Sequence, residues 1–336
     1  MAVAIEKVKT NVIESVSAVM DAAHYKDFIP RGYTVFLKVN LGWDLFIPGS
    51  VTNPAVFEGV VKKLKGHAEK ICVVESNQVL ENIKKAYKRS KISEIAKHLN
   101  VDWINLSDCK KISKRIPENR VIQNVIIPEI LTKGVIVTLP VMKTHGKSTI
   151  TISLKNQWGC IPKMRHMYHP CLTEAISDVN AALGVKFSVV DGTIAMEGNA
   201  PKTGIPREVG IVGAGGDLVE IDSVFANLMG FNPWKIPHLV EAERRGLGKI
   251  RTDFIGDEIG PIEPFEPAGH NLVSKIELFL RQSPFHSLVF KTPVFLGMLA
   301  GAKIYYYLFD FFKGRRIRKR FRDHPLYGEY FGIPRF

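Results

Sequence analysis

The sequence has few cysteines and no leader-like start. Four cysteines are spread over 336 residues, which excludes the dense disulfide framework of a small secreted protein. The first residues carry Glu6, Lys7, Lys9 and Glu14, so they lack the uninterrupted apolar core of a signal peptide. With 46% hydrophobic and 24% charged residues, global disorder is also excluded. We therefore expect a globular protein in the cytoplasm, long enough for one large domain or two ordinary ones.

Acidic residues are missing from two windows of the chain. Residues 130–173 and 313–322 contain no Asp or Glu but several Lys and Arg. Outside these windows basic and acidic residues balance, so the formal net charge of +13 is confined to two segments. This distribution disfavours a uniformly basic nucleic-acid-binding surface and predicts two separate features that face anions.

Several catalytic and nucleotide-binding motifs are absent as well. The sequence has no GxxxxGK[ST], HExxH, GxSxG or CxxC motif, so P-loop, zincin, serine-hydrolase and ferredoxin-type assignments lose their sequence support. The segment GIVGAGGD has Leu218 where a dinucleotide fingerprint needs its third glycine. A nicotinamide or flavin site there is disfavoured.

Alternating strand-like and helix-like stretches indicate an α/β fold. Strands are predicted at TVFLKVNL, KICVVES, VDWINL, KGVIVTLP, VKFSVVDG and REVGIVGAGG, and helices at AVFEGVVKKL, ENIKKAYKRSKISEIAKHL and IDSVFANLMGF. Asn53 followed by Pro54 is a helix start signal. We expect a mostly parallel sheet with helices on both faces. It would span residues 1–272, and residues 273–336 would form an apolar-aromatic helical segment with a polybasic tail.

The first acid-free window contains the candidate binding residues. Lys143, His145 and Lys147 follow the strand KGVIVTLP and are expected on the loop at its carboxyl end, where open α/β sheets bind ligands. Lys155, Asn156 and Arg165 follow. Such a cluster of donors suits a phosphate or carboxylate group, although a solvated basic face is the alternative.

Two other interpretations of this window remain open. Cys160, His166, His169 and Cys171 are spaced C-x5-H-x2-H-x-C, and thiolates and imidazoles bind zinc or iron. The spacing matches no familiar closed site, and a lone cysteine is often a small buried hydrophobe. Alternatively, neighbouring Lys and Arg could activate Cys160 by lowering its thiol pKa.

Acidic candidates lie further along the chain. Asp191 comes at the end of VKFSVVDG, Glu197 opens the loop EGNAPKTGIPR, and Asp222 lies in LVEIDSVF. A carboxylate directly after a buried strand is typical of a metal ligand or general base. Asp-Gly is also an ordinary turn pair, so both interpretations stand.

The motifs taken together resemble a known family. The series contains, in this order, KVNL, TLPVMKTH, LKNQWGCIP, the Arg165 and His169 pair, VVDG, EGNAPKTG and the Asp of EIDS. It resembles domain-of-unknown-function family 362. The resemblance spans roughly residues 30–255 and implies a common α/β domain with a shared polar site, but no particular reaction. Some relatives carry added ferredoxin-like cysteines, which this chain lacks. The positions implied for the shared site are Asn40, Lys143, His145, Lys155, Asn156, His169, Asp191, Glu197 and Asp222.

The segment before the basic tail is apolar and aromatic. Residues 292–312 are long enough to cross a bilayer, but Lys303 and Asp310 lie inside and each central charge opposes insertion. These two charges are seven positions apart and share a helix face, which favours a helix lying on the membrane with both charges toward water. The basic run after it would be attracted to anionic lipid. Packing on the sheet with a solvated tail, and a full span, are the alternatives.

These features support two hypotheses on function. In the first, the protein is an enzyme that binds an anionic small molecule through Asn40, Lys143, Lys147, Lys155, Asn156 and Arg165. His145 and His169 serve as acid or base, with Asp191 and Glu197 as further catalytic groups, and Asp222, Cys160, His166 and Cys171 as candidate ligands of an assisting metal. In the second, the protein binds a divalent metal, an iron–sulfur cluster or an anionic lipid head group and breaks no bond. In both, residues 284–322 contact the inner face of an anionic membrane peripherally, and nucleic acid is not an expected partner.

Overall fold

The computed structural model describes residues 2–78, 82–116, 121–269, 294–324 and 326–329. Its strands are β1 (Val3–Lys7), β2 (Thr34–Val39), β3 (Lys70–Glu75), β4 (Asp102–Asn105), β5 (Lys111–Arg115), β6 (Asn124–Pro128), β7 (Val135–Leu139), β8 (Val141–His145), β9 (Thr149–Thr151), β10 (Phe187–Glu197), β11 (Ile205–Gly215) and β12 (Phe254–Gly256). Its α-helices are α1 (Val12–Ala22), α2 (Pro54–Leu64), α3 (Ile83–Arg89), α4 (Ile92–His98), α5 (Ser153–Asn156), α6 (Leu172–Leu183), α7 (Leu218–Leu228), α8 (Pro237–Arg244), α9 (Val294–Phe309) and α10 (Arg315–Arg322).

The main sheet is mixed and mostly parallel, as the sequence predicts. Its strand order is β12-β1-β11-β10-β7-β2-β3-β4, and β8 pairs with β10 and β9. The strands β10, β7, β2, β3 and β4 are mutually parallel, whereas β11 is antiparallel to both β10 and β1. The carboxyl ends of β2, β3 and β7 therefore meet at one edge of the sheet.

Helices cover both faces of this sheet. Alternate residues of the parallel strands point to opposite faces, so Val35 and Leu37 pack with α1 and α2, while Phe36 belongs to the core formed with α6, α7 and α8. The helix start predicted at Asn53 is confirmed, because its side-chain oxygen accepts the N–H of Ala55 and Pro54 is the first helical residue.

Two local predictions are wrong. Lys143 and His145 lie in strand β8 rather than on a loop, since the chain leaves β7 at Pro140 and at once pairs with β10. Asp191 does not end its strand either. The strand β10 continues to Glu197, with a register shift between Gly192 and Ile194.

The glycines of GIVGAGGD lie where backbone and aromatic rings come close together. A Cβ on Gly213 would lie 2.5 Å from the ring of Phe225, and one on Gly216 would lie 1.9 Å from the ring of Phe28. Asp217 follows and caps α7 by accepting the N–H groups of Val219 and Glu220. Close packing of a strand against its neighbours thus accounts for this glycine-rich sequence.

The C-terminal helices pack on the loop after β2. Ala302 and Tyr306 of α9 form a buried cluster with Trp43 and Leu45. Phe321 of α10 and Tyr327 beyond it lie in the same core as α1 and α2. None of the described helices is both long and apolar enough to cross a membrane. Residues 270–293, which include the predicted boundary at 272 and the first part of the predicted apolar segment, lie outside the described residues.

Candidate functional site

A buried ion pair lies where β2 and β3 end. Lys38 Nζ donates to Glu75 Oε2 at 2.8 Å and to the carbonyl oxygen of Val39 at 2.8 Å, and both side chains are almost completely buried. The other carboxylate oxygen of Glu75 accepts the N–H of Ser76. Burial of a charge is tolerated only with such pairing. The pair was not among the predicted site residues, although a charged residue near the carboxyl end of each apolar strand is the signal that could have found it.

Two asparagines and Lys143 extend this buried network. Lys143 Nζ donates to Asn40 Oδ1 at 2.7 Å and to the carbonyl oxygen of Ser50 at 2.9 Å. The amide of Asn40 in turn donates to Asn156 Oδ1 at 3.0 Å. Burial lowers the pKa of Lys143 to about 7. The structure therefore brings together Asn40, Lys143 and Asn156, three of the predicted residues, from separate parts of the chain.

Asp222 holds the short helix α5 in place. Its two carboxylate oxygens accept the backbone N–H groups of Ser153 at 2.7 Å and Leu154 at 2.9 Å. These are the first N–H groups of the helix that carries Lys155 and Asn156. Burial raises the pKa of Asp222 to about 7, and the two N–H bonds act in the opposite direction. The contacts of Asp222 are those of a helix cap; its predicted role as a metal ligand is untested.

We expect Asp222→Ala to lower the free energy of unfolding by about 1–3 kcal/mol, because two buried N–H groups lose their acceptor. Asp222→Asn keeps one acceptor oxygen and should lose less. Urea unfolding of both variants beside the wild type measures this difference. Equal stability of Asp222→Ala and the wild type would contradict the capping role.

Lys155 is a nearly buried cation at this edge of the sheet. Among the described residues its Nζ has no hydrogen-bond or ion-pair partner, and its recorded contact is with the ring of Trp158, 5.3 Å from the ring centroid. The residue is 9% exposed. Burial lowers the pKa of Lys155 to about 7, and neighbouring positive charges lower it further: Arg165, Lys147, Lys38 and Lys143.

The two predicted catalytic histidines lie beside these lysines. His145 Nδ1 accepts the N–H of Lys147 at 3.1 Å and that of Ser148 at 3.3 Å, so a neutral His145 carries its proton on Nε2. Burial, followed by the positive charge of Lys155, lowers the pKa of His145 well below its usual value. His169 Nδ1 lies 2.9 Å from Lys147 Nζ. Lys147 thus contacts both histidines, His145 through its backbone N–H and His169 through its ammonium group.

Arg165 lies at the same edge of the sheet and is hydrogen-bonded to neighbouring residues. Its guanidinium donates to Ser76 Oγ at 3.1 Å and to the carbonyl oxygen of Ile161 at 2.7 Å. Cys160 is buried nearby, and burial raises the pKa of its thiol to about 12. The alternative in which basic neighbours activate Cys160 is therefore wrong, because desolvation outweighs their charge.

The remaining acidic candidates, Asp191 and Glu197, already have hydrogen-bond or ion-pair partners. Asp191 accepts the N–H of Asn53 at 2.7 Å and the hydroxyl of Thr193 at 2.6 Å, and burial raises its pKa to about 6. Glu197 pairs with Arg207 at 3.0 Å. The carboxylate of Glu197 thus faces an arginine of β11, outside the cluster of lysines.

No group of three or more His, Cys, Asp or Glu side chains among the described residues could hold a metal ion. The side chain of His166 lies outside this description. The set of Asp222, Cys160, His166 and Cys171 therefore remains a prediction from the sequence.

The fold and the site define an α/β protein whose basic, largely buried polar site lies at the carboxyl edge of a mostly parallel sheet. A family model, domain of unknown function DUF362, matches residues 35–227. The chain belongs to this family, as its motif series indicates.

One similar protein and one solved structure extend the comparison. A thylakoid-associated protein of Synechocystis sp. is 35% identical over 136 residues, which cover 37% of this chain and 41% of that protein. The chain is thus matched over less than half of the length of this relative. A crystal structure of a protein from Thermotoga maritima superposes with a TM-score of 0.34 and 11% sequence identity, covering 60% of this chain and 53% of that one.

Proposed function

We propose that the protein is an enzyme that binds a small molecule through a phosphate or carboxylate group at Lys155. The observation that carries this proposal is a nearly buried ammonium group with neither a hydrogen-bond acceptor nor an ion-pair partner among the described residues. Leaving such a charge unpaired is unfavourable. A bound anion would remove the penalty and form a charge-assisted hydrogen bond.

The acidic groups of the site support this assignment, because none of them compensates Lys155. Glu75 is paired with Lys38. Asp191 is bonded to Asn53 and Thr193, and Asp222 caps α5. The positive charge of Lys155 is therefore available to a ligand.

Proton transfer is the chemistry that the neighbouring residues suit. A neutral His145 has its Nδ1 lone pair occupied by two backbone N–H groups, so its Nε2–H can donate a hydrogen bond to a substrate oxygen and stabilise negative charge that develops there. Lys155 and Lys143, with pKa values of about 7, can exchange protons near neutral pH, where general acids and bases are most effective. We propose that Lys155 positions the anion and that His145 polarises a substrate oxygen through its Nε2 proton.

We further propose that this enzyme works at a membrane surface. One relative is named as thylakoid-associated, and its similarity to this chain supports a peripheral membrane location here.

Sulfate titration tests the anion site, because sulfate remains a dianion across the useful pH range. We expect isothermal titration calorimetry to show binding at pH 6 that weakens about tenfold or more by pH 8.5, since Lys155 loses its proton above a pKa of about 7. Burial lowers the pKa of His145 well below its usual value, so we do not attribute the expected change to this residue. Lys143 titrates in the same window, so the variant below is needed to assign the effect.

The matched variants are Lys155→Met and Lys65→Met. Lys65 is exposed at the C-terminal end of α2. The strand that follows it, β3, begins at the edge of the sheet opposite the candidate site. Lys155→Met should bind sulfate at least about tenfold more weakly at pH 6, whereas Lys65→Met should bind like the wild type. Wild-type affinity in Lys155→Met would refute the proposed site. Activity is tested by incubating the protein in D₂O with a panel of phosphorylated and carboxylated metabolites. If it binds such compounds but neither converts them nor exchanges their protons, the alternative of a binding protein that breaks no bond would be favoured.

A further inference from the structure

The helix α9 has one face fixed to the domain. Tyr306 packs edge-on against Trp43, with ring centroids 5.4 Å apart, and Ala302 belongs to the same buried cluster. Arg318 adds a second anchor, since its guanidinium donates to both carboxylate oxygens of Asp310 and to the carbonyl oxygens of Leu45 and Phe46. The orientation of α9 relative to the domain is therefore set by contacts on one side.

The other side of α9 and the helical turn Asp310–Gly314 that follows it expose large apolar side chains. Ile304, Leu308, Phe311 and Phe312 are 61%, 52%, 53% and 64% exposed. Positions 304, 308 and 311 follow helical spacing and form a stripe opposite the buried Ala302 and Tyr306. Tyr305 and Tyr307 flank it with exposures of 38% and 40%. A contiguous exposed apolar stripe of this kind indicates an interaction surface.

Basic residues continue directly from this stripe. Arg315 lies over the ring of Phe311, 4.5 Å from its centroid. The exposed basic residues of α10 are Arg315, Arg316, Lys319, Arg320 and Arg322. Asp310, the nearest acidic residue before them, is already paired with Arg318, so these charges face solvent without an acidic neighbour within the helix.

Asp310 and Arg318 do not contribute to this surface. The sequence suggested that Lys303 and Asp310 turn together toward water, but Asp310 points at the domain because Arg318 bridges it to the loop after β2. The outward face therefore consists of apolar and basic groups.

We propose that Ile304, Leu308, Phe311 and Phe312 insert into an anionic phospholipid bilayer, while the exposed basic residues of α10 contact lipid phosphates. We call this surface the lipid face. An amphipathic helix with an apolar stripe and neighbouring Arg and Lys binds at a membrane interface in this way, and its charges select anionic lipids. The inference rests on the proposed membrane location and names the surface and its partner.

Vesicle sedimentation with the full chain tests the lipid face. We expect binding to vesicles of phosphatidylcholine and phosphatidylglycerol at 7:3, and binding to pure phosphatidylcholine vesicles weaker by at least about a hundredfold, because each basic contact contributes about fivefold. Stronger binding to a 20-base-pair DNA duplex than to the anionic vesicles would overturn the proposal.

Three variants locate the surface. The apolar variant combines three substitutions, Leu308→Ser/Phe311→Ser/Phe312→Ser. The basic variant combines four, Arg315→Gln/Arg316→Gln/Lys319→Gln/Arg320→Gln. Each should reduce binding to anionic vesicles by at least about a hundredfold. Trp234→Ser removes an aromatic side chain that is 56% exposed elsewhere and should bind vesicles like the wild type. All substituted positions are exposed, so thermal unfolding should stay close to that of the wild type.

The outcomes separate the proposals from one another. Wild-type vesicle binding by both multiple variants would overturn the lipid face and leave the membrane location intact. Absence of vesicle binding by the wild type would overturn both. Sulfate affinity, measured on the same preparations, reports the anion site independently and should not change in any of these variants.

Discussion

Lys38→Met is expected to lower the free energy of unfolding by about 3–5 kcal/mol, the range for removing one member of a buried ion pair. The variant would leave the Glu75 carboxylate buried with the N–H of Ser76 but without a positive partner. It would also remove a donor to the carbonyl oxygen of Val39. Urea unfolding, followed by circular dichroism, measures the loss.

The double variant Lys38→Met/Glu75→Gln is the control for this prediction. It has no buried unpaired charge, so it should recover part of the stability that Lys38→Met loses. Lys65→Met, at an exposed position, should stay within about 0.5 kcal/mol of the wild type. A loss below about 1 kcal/mol in Lys38→Met would show that the pair contributes little to stability.

Gly159→Ala is expected to disrupt the same ion pair sterically. A Cβ at this position would lie 2.5 Å from Glu75 Oε1 and 2.7 Å from Lys38 Nζ, distances that real Cβ contacts do not reach. The charged groups would have to separate, and both are buried, so neither can move out into solvent. We therefore expect a loss of about 3 kcal/mol or more, comparable with removal of one partner.

Two controls isolate the steric effect. Gly260 has no atom within 4 Å of its added Cβ and no positive φ, so Gly260→Ala should change stability by less than about 1 kcal/mol. In the background Lys38→Met/Glu75→Gln, Gly159→Ala should cost less than in the wild type, because the pair it displaces is gone. Additive losses in that background would mean that Gly159 acts elsewhere.

The architecture was largely predictable because buried parallel strands have a strong sequence pattern. The runs around Val35 and Val135 are continuous and apolar, and each was recognised as a strand. Strands β1 and β8 were not, since Glu6 and Lys7 interrupt β1 and Pro140 suggests an end rather than a new strand. Their pairing partners, near Val212 and Asp191, are remote in sequence, so local pattern alone does not indicate them.

The sequence indicated which residues to consider for the site, but not the contacts that each of them makes. The acid-free window identified Lys143, His145 and Lys155, which the fold does bring together. Periodicity gave no reason to connect Asp222 with the N–H groups of α5, because that contact depends on tertiary packing. Gly159 was noticed only as part of a motif, and its reason, the close approach of Lys38 and Glu75, exists only in three dimensions.

The pairing of β1 with β11 and β12 has a consequence for biosynthesis. The chain must extend about two hundred residues beyond β1 before its antiparallel partner is made, which takes roughly 10–40 s at ordinary translation rates of about 5–20 residues per second. Tyr327, which fills the core beside α1 and α2, is made later still. A nascent chain therefore carries an unpaired strand edge and uncovered apolar side chains for much of its synthesis. Slowed elongation late in the message would prolong its need for chaperones.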